Sequence, residues 1–206
     1  MDSEPQSGEI IDRIIHTVAS DGTPVCIRSI RTSDADQMRT GIAHLSTQSR
    51  YLRFFSVQPM PSDSVIEQLV DADGHEHIAW GAIHMNGTDN PAIGAVHAIR
   101  SAEREGFGEF SVATLDAYQG IGIGRMLTAV LLINCRVKQI DVLDIQTLAE
   151  NQAAIGFIRS IGAEMLTWDG GVQDYVLEVA PAIAAIRATS QLQGIDDIFT
   201  ALDDYL

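Results

Sequence analysis

The chain has 206 residues, 46% hydrophobic and 20% charged, enough for one substantial core or a core with a short extension. Thirteen basic residues against 28 acidic ones give a net charge of −15, which argues against nucleic-acid binding and suits a cationic acceptor or simple solubility. No run approaches the roughly 18 to 20 apolar residues of a membrane span, so no membrane partner is expected.

Met1 to Asp12 is acidic and lacks the basic-then-apolar layout of a signal peptide, which points to the cytoplasm. Residues 1 to about 20 read as poorly ordered, although Ile10-Ile11 and Ile14-Ile15 allow a short strand or helix. Pro24 to Ile30 alternates apolar and polar residues as a first strand does. Ser33 or Asp34 caps a helix to about His44, Thr47 or Ser49 a second through Phe55, and Ser62 or Asp63 a third, Ser64 to Val70. Strand-like runs follow at His77–His84, Ala92–Arg100 and Gly108–Leu115, with Asn86-Gly87 and Asp89-Asn90-Pro91 turning between the first two. Then come a long helix, Met126 to Val137, a strand, Val142 to Leu148, and a helix, Ala153 to Ile161. A closing hairpin, Glu164–Trp168 and Gln173–Val179, turns on Asp169-Gly170-Gly171. Cys26 and Cys135, on a strand and a helix, read as buried free thiols of a reducing compartment.

In the acidic tail, Ile195, Ile198, Phe199, Leu202 and Leu206 keep helical spacing while Asp196, Asp197, Asp203 and Asp204 lie largely off that stripe. The stripe is expected to dock on the domain; a dimer contact and a lid on the acceptor cleft are the alternatives. The expected organisation is an N-terminal extension, 1–22, one domain, 23–180, and a helical tail, 181–206. A homodimer is left open.

The most informative stretch is Gln119-Gly120-Ile121-Gly122-Ile123-Gly124-Arg125, between a strand and the long helix. Glycines at alternate positions bare the backbone N–H groups at a helix N-terminus, which suits phosphate or pyrophosphate. Without the ligand the same glycines permit a tight strand-to-helix turn. A Walker loop would need Lys-Ser or Lys-Thr where Arg125-Met126 stands, and the G-x-G-x-x-G spacing of a dinucleotide fold is missing. The pattern present is Q/R-x-x-G-x-G/A, and with it the chain resembles the GNAT superfamily of N-acetyltransferases. Asp116-Ala117-Tyr118-Gln119-Gly120 is similar to that family's lead-in to the loop, Glu150-Asn151-Gln152-Ala153-Ala154 to its E-N-x-x-A segment, and Ile161-Gly162-Ala163 to its L-G-F. The resemblance covers roughly Val25 to Glu178.

That resemblance implies an α/β (α+β) fold with a mixed, mostly antiparallel sheet of six to seven strands, splayed between the fourth and fifth and flanked by helices. It implies acetyl-CoA as co-substrate, its pyrophosphate on the amides of Gln119, Gly120, Ile121, Gly122, Ile123, Gly124 and Arg125. Its pantetheine arm would lie against Val112, Ala113, Thr114 and Asn151. Asn151 reads equally as the cap of the next helix.

Acetylating an amine at neutral pH needs a base, because a lysine amine with a pKa of about 10.4 is almost wholly protonated. Glu109, on the strand that feeds the loop, is the catalytic candidate; its alternative is a solvent-facing strand residue. Gly108 to Val112 and Ser49 to Phe55 resemble segments of bacterial Pat-type protein lysine acetyltransferases, in which a glutamate base stands where Glu109 does. Arg50 and Arg53 read either as acceptor-side residues or as surface charges around packed Tyr51 and Phe54. Many GNAT enzymes carry a tyrosine seven residues after the asparagine; here that position is Ile158, which leaves direct thiolate release, water or Tyr118. His75, His77 and His84 lack the spacing of a zinc site, so no metal is expected. The expected activity is acetyl transfer to a primary amine, chiefly a protein lysine. The alternatives are a small cationic amine, such as a polyamine or antibiotic, and a weakly catalytic acyl-CoA-binding regulator.

Overall fold

The apolar runs between turn residues assemble into one eight-stranded sheet in the computed structural model, which describes residues 11–55, 60–189 and 191–206. The strands are β1 Ile15–Val18, β2 Pro24–Ser29, β3 His77–His84, β4 Ala92–Arg100, β5 Phe107–Thr114, β6 Val142–Leu148, β7 Glu164–Asp169 and β8 Val172–Glu178. Their order is β1-β2-β3-β4-β5-β6-β8-β7, antiparallel throughout except between β5 and β6. The mixed, mostly antiparallel sheet is the one expected, with one strand more. The addition is β1, formed by residues read from composition as loosely ordered. Ile11, Ile15 and Ala19 are buried, and that apolar gain orders the segment despite its polar neighbours. Ile10 and the acidic start lie outside the described residues.

The one parallel pairing is short. Phe107, Gly108 and Glu109 meet Val142, Leu143 and Asp144, and beyond that point β5 and β6 share no ladder. Both strands continue, β5 for five residues and β6 for four. A wedge therefore opens inside the sheet, with its apex at Glu109 and Asp144. This is the split expected between the fourth and fifth strands, which are β5 and β6 once β1 is counted.

Helices α1 Ala35–His44, α2 Thr47–Phe54 and α3 Asp63–Val70 follow β2; α4 Ile123–Val137, α5 Gln152–Ser160, α6 Val179–Thr189 and α7 Gln193–Ala201 complete the chain. The face carrying Val96, Ala98 and Phe110 packs on α4, whose Met126, Leu127, Val130, Leu131 and Ile133 are wholly buried. On the opposite face Ala79 and Ala95 meet Met38 of α1 and Val70 of α3. The tail docks on the domain, as its stripe foretells: Ile195, Ile198, Phe199 and Leu202 are buried, on the order of 2 kcal/mol each by transfer from water. Thr17 of β1 donates to Asp197 Oδ2 at 2.6 Å, tying the tail to the added strand.

Candidate active site

Three glycines in the loop after β5 have three different jobs. Gly120 and Gly122 hold φ of +77° and +95°, a region that costs L residues strain. A Cβ on Gly120 would meet nothing within 4 Å, and one on Gly124 only Thr114 Cγ2 at 4.0 Å. Open space therefore lies beside the backbone at both positions, as a cradle for a bound anion requires. A Cβ on Gly122 would instead stand 2.7 Å from Leu192 Cδ1. The absence of a side chain there makes room for the tail, a reason that the glycine spacing does not reveal. The loop is held from its other side by the Ser20 N–H, which donates to the Ile121 carbonyl at 3.1 Å.

Gly122 is the N-cap of α4, and the first bond that closes the helix runs from Met126 N–H to the Gly122 carbonyl. The N–H groups of Ile123 and Gly124 precede that bond and belong to the helix's first turn, which has no intrahelical acceptor for them. They add the positive end of a 15-residue helix to the mouth of the wedge. Arg125 reaches across to α5, where Nη2 donates to Ser160 Oγ at 2.8 Å. Its side chain thus joins the two helices bordering the loop.

The register decides which backbone groups of β5 face the wedge. Leu115 N–H donates to the Ile93 carbonyl, so Ala113, Ser111 and Glu109 pair with β4 in the alternation of an antiparallel ladder. The backbone groups of Val112 and Thr114 turn toward the gap. Gln119 Nε2 donates to the Thr114 carbonyl at 3.3 Å, closing the mouth of the wedge against the loop. Ala113 keeps its backbone for β4, which leaves it only a steric part. Asn151 uses its Oδ1 to cap α5, accepting from Ala154 N–H at 3.1 Å, so its amide N–H groups are what a ligand can reach.

Glu109 is exposed at the apex, on the face opposite α4. No described residue forms a hydrogen bond or ion pair with its carboxylate. Its neighbour across the parallel pair, Asp144, is bound by Arg104, which also lies 4.1 Å over the Phe107 ring. Two carboxylates thus stand side by side with only one of them neutralised.

Two further facts tie α2 to this face. Asp116, in the lead-in to the glycine loop, accepts from Ser46 N–H at 3.0 Å, Ser46 Oγ at 2.9 Å and Ser49 Oγ at 2.7 Å. Burial raises its pKa, but these donors outweigh it and hold the carboxyl below its ordinary value. One side chain therefore joins the start of α2 to the loop. The serines at 46 and 49 carry the signature of a helix start, yet nothing in sequence spacing identified Asp116 as their acceptor. Arg53, from the end of α2, donates to Ser111 Oγ at 2.9 Å, while Arg50 binds the Ile42 and Ala43 carbonyls at the end of α1. Neither makes the surface ion pairs set out as their structural alternative.

Behind Ser111, His97 is buried, with Nδ1 3.0 Å from His77 Nε2. His77 Nδ1 lies 3.2 Å from the Asp71 carbonyl and must donate to it, so His77 Nε2 accepts and His97 Nδ1 donates. Burial, and then the charge of Arg53, hold His97 well below its ordinary value. The pair is a neutral structural support. Tyr118 OH is 3.0 Å from His84 Nδ1, on β3 and two strands away from the wedge; Ile158 is buried. Neither position puts an acidic proton at the apex.

The family model described as acetyltransferase (GNAT) family matches residues 43–163, from α1 through the end of α5. Acetyltransferase Pat of Mycolicibacterium smegmatis is 25% identical over 155 residues, 75% of this chain and 46% of the relative. Acetyltransferase PA5475 of Pseudomonas aeruginosa is 31% identical over 107 residues, 52% of this chain and 57% of the relative. The chain thus spans about half the length of the curated relatives it matches. The crystal structure of the GNAT domain of S. lividans PAT superposes with a TM-score of 0.72 at 20% identity, over 80% of this chain and 96% of that one. That likeness shows the fold.

Proposed function

This chain belongs to the GNAT acetyltransferase family, whose members take an acetyl group from acetyl-CoA, and we propose that it passes that group to a protein lysine with Glu109 as general base. The observation that carries the reading is the end of the β5–β6 ladder at Glu109, which sets a free carboxylate at the apex of the wedge. From Glu109 to Thr114 the strand extends about 17 Å, at roughly 3.4 Å per residue, and then reaches the glycine loop. A long, narrow ligand with a phosphate group at one end and its reactive group at the other suits that layout.

The residues fit the donor. Open backbone at Gly120 and Gly124 with the α4 N-terminus suits the pyrophosphate, and Val112 and Thr114 offer main-chain groups to the pantetheine arm like an added strand. The bound donor supplies the activated acetyl carbon. The work left to the protein is to take a proton from the attacking amine, for which a positioned base is worth about 10²–10⁴ in rate. Glu109 suits that work because no described cation pairs with its carboxylate, whereas Asp144 is committed to Arg104. The backbone N–H of Val112, nearer the apex than that of Thr114, suits the carbonyl oxygen as charge forms on it.

A protein lysine is favoured over a small polycation by Arg53. Although net charge favours any cation, this guanidinium on the acceptor face repels a second positive centre close to the reacting amine. The test is acetyl transfer, read by thiol release, to a panel of lysine peptides and folded proteins beside spermidine and aminoglycosides. Turnover of lysine substrates with the small amines inert is expected. Turnover confined to the small amines would reverse the assignment.

A further inference from the structure

Among the described residues no carboxylate lies against Arg53. Arg13, Arg28, Arg31, Arg39, Arg100 and Arg104 each meet a carboxylate; Arg53 meets none, in a chain with more than twice as many acids as bases. Its contacts are Ser111 Oγ at 2.9 Å and the Phe54 ring, 5.1 Å from the guanidinium carbon. The side chain is half-buried, and none of its nitrogens is among the buried atoms lacking partners, so it remains reachable. Partial desolvation pushes its pKa down. A cation kept in such a place is costly unless the functioning protein supplies an anion.

The geometry narrows which anion. Ser111 sits between Glu109 and the wedge-facing backbone of Val112. Arg53 donates to its oxygen, so the hydroxyl proton of Ser111 stays free to be donated elsewhere. Acyl transfer creates two anions near that place: the carbonyl oxygen, for which a strand N–H is the donor, and the sulfur that leaves, which still needs one. The position at which many GNAT enzymes have a proton-donating tyrosine holds a buried isoleucine, Ile158, and Tyr118 is engaged with His84.

We propose that the Ser111 hydroxyl donates to the departing sulfur and that Arg53, as its positioning residue, stabilises the thiolate there. This rests on the reading of the wedge as the acyl-donor site. The amine nitrogen bonds to the thioester carbon and gives its proton to the Glu109 carboxylate. The carbon–sulfur bond breaks with its electron pair on sulfur. The thiolate leaves against the Ser111 O–H and takes a proton from solvent afterwards. No general acid is needed, because the charge is stabilised and not immediately quenched.

The prediction is read on bound CoA alone, by titrating its thiol through the ultraviolet absorbance of the thiolate. The other ionisable groups on this face are Glu109 and Asp144, which push a thiol upward, Arg104, which is committed to Asp144, and His77 and His97, which are neutral. Lowering of the bound thiol below that of free CoA therefore has to come from Arg53 and the Ser111 hydroxyl that it holds. In the parent the bound thiol is expected to be a tenfold or more stronger acid than that of free CoA. Arg53→Gln should abolish the shift, Arg53→Lys keep part of it, and Ser111→Ala, which leaves the guanidinium in place, reduce it. In turnover, Arg53→Gln should lose about 10²-fold in kcat with KM for acetyl-CoA little changed. A bound thiol that titrates like free CoA in the parent, or identically in the parent and Arg53→Gln, overturns the assignment. If the parent binds no CoA, the donor-site reading fails with it, and calorimetry on the parent shows that separately.

Discussion

Gly122→Ala probes the contact between the tail and the glycine loop, and its cost divides into two terms that can be measured apart. The first is backbone strain: φ is +95°, and holding an L residue there costs about 1–3 kcal/mol. The second is crowding, because the new methyl would stand 2.7 Å from Leu192 Cδ1, and overpacking typically costs about 1–3 kcal/mol. The single substitution should therefore cost about 2–6 kcal/mol, a large part of the stability of a domain this size. Leu192→Ala alone should cost about 1–2 kcal/mol for a half-buried leucine. In the double variant the crowding disappears and the strain stays. The double loss should fall short of the sum of the singles by about 0.5–3 kcal/mol, measured by urea unfolding at constant slope. Gly120→Ala is the control: φ is +77° but nothing lies within 4 Å, so it should show strain and no coupling to Leu192. Additivity of Gly122→Ala and Leu192→Ala within about 0.5 kcal/mol would refute the seating of the tail on the loop.

Two more outcomes follow from buried titratable groups. Burial holds His77 below its ordinary 6.5 and His97 well below it, so the unfolded chain binds protons that the folded one refuses. Their contribution is fully present above about pH 6.5 and is lost as pH falls, at up to about 1.4 kcal/mol per pH unit for each histidine. His97→Asn should flatten that acid slope; an unchanged slope between pH 6.5 and 5 would contradict it. Burial pushes the Cys135 thiol up to about 12 and raises Cys26 too, so a thiol reagent at pH 8 should label neither in the folded protein and both after denaturation. Rapid labelling of the native protein would show that these sites open.

Features set by local sequence were legible: β3, β4 and β6 begin and end where their alternation does, and the Asp-Gly-Gly turn closes the β7–β8 hairpin. The wedge was legible only through resemblance, because the point at which two parallel strands part depends on packing across the whole sheet. Near the N-terminus composition suggests loose order, and only the isoleucine pairs there allow the strand that forms, β1. Gly, Ser and acidic residues near β1 conceal Ile11, Ile15 and Ala19, whose burial depends on α7 arriving from almost two hundred residues away. Glu109 is proposed as the base from its place on the strand before the loop and from the resemblance of that strand. Arg53 and Ser111 were not joined, since nothing in the spacing of 58 residues says that the end of α2 crosses β5. That Gly122 also leaves room for Leu192 is not visible in the glycine spacing.

The central assignment is the free carboxylate at the apex, and Glu109→Gln measures it most directly. Acetyl transfer to a lysine substrate should fall by about 10²–10⁴ and lose its basic limb between pH 6 and 9, while CoA binds as tightly as before. Equal rates for the parent and the glutamine variant across that range would remove Glu109 from the reaction.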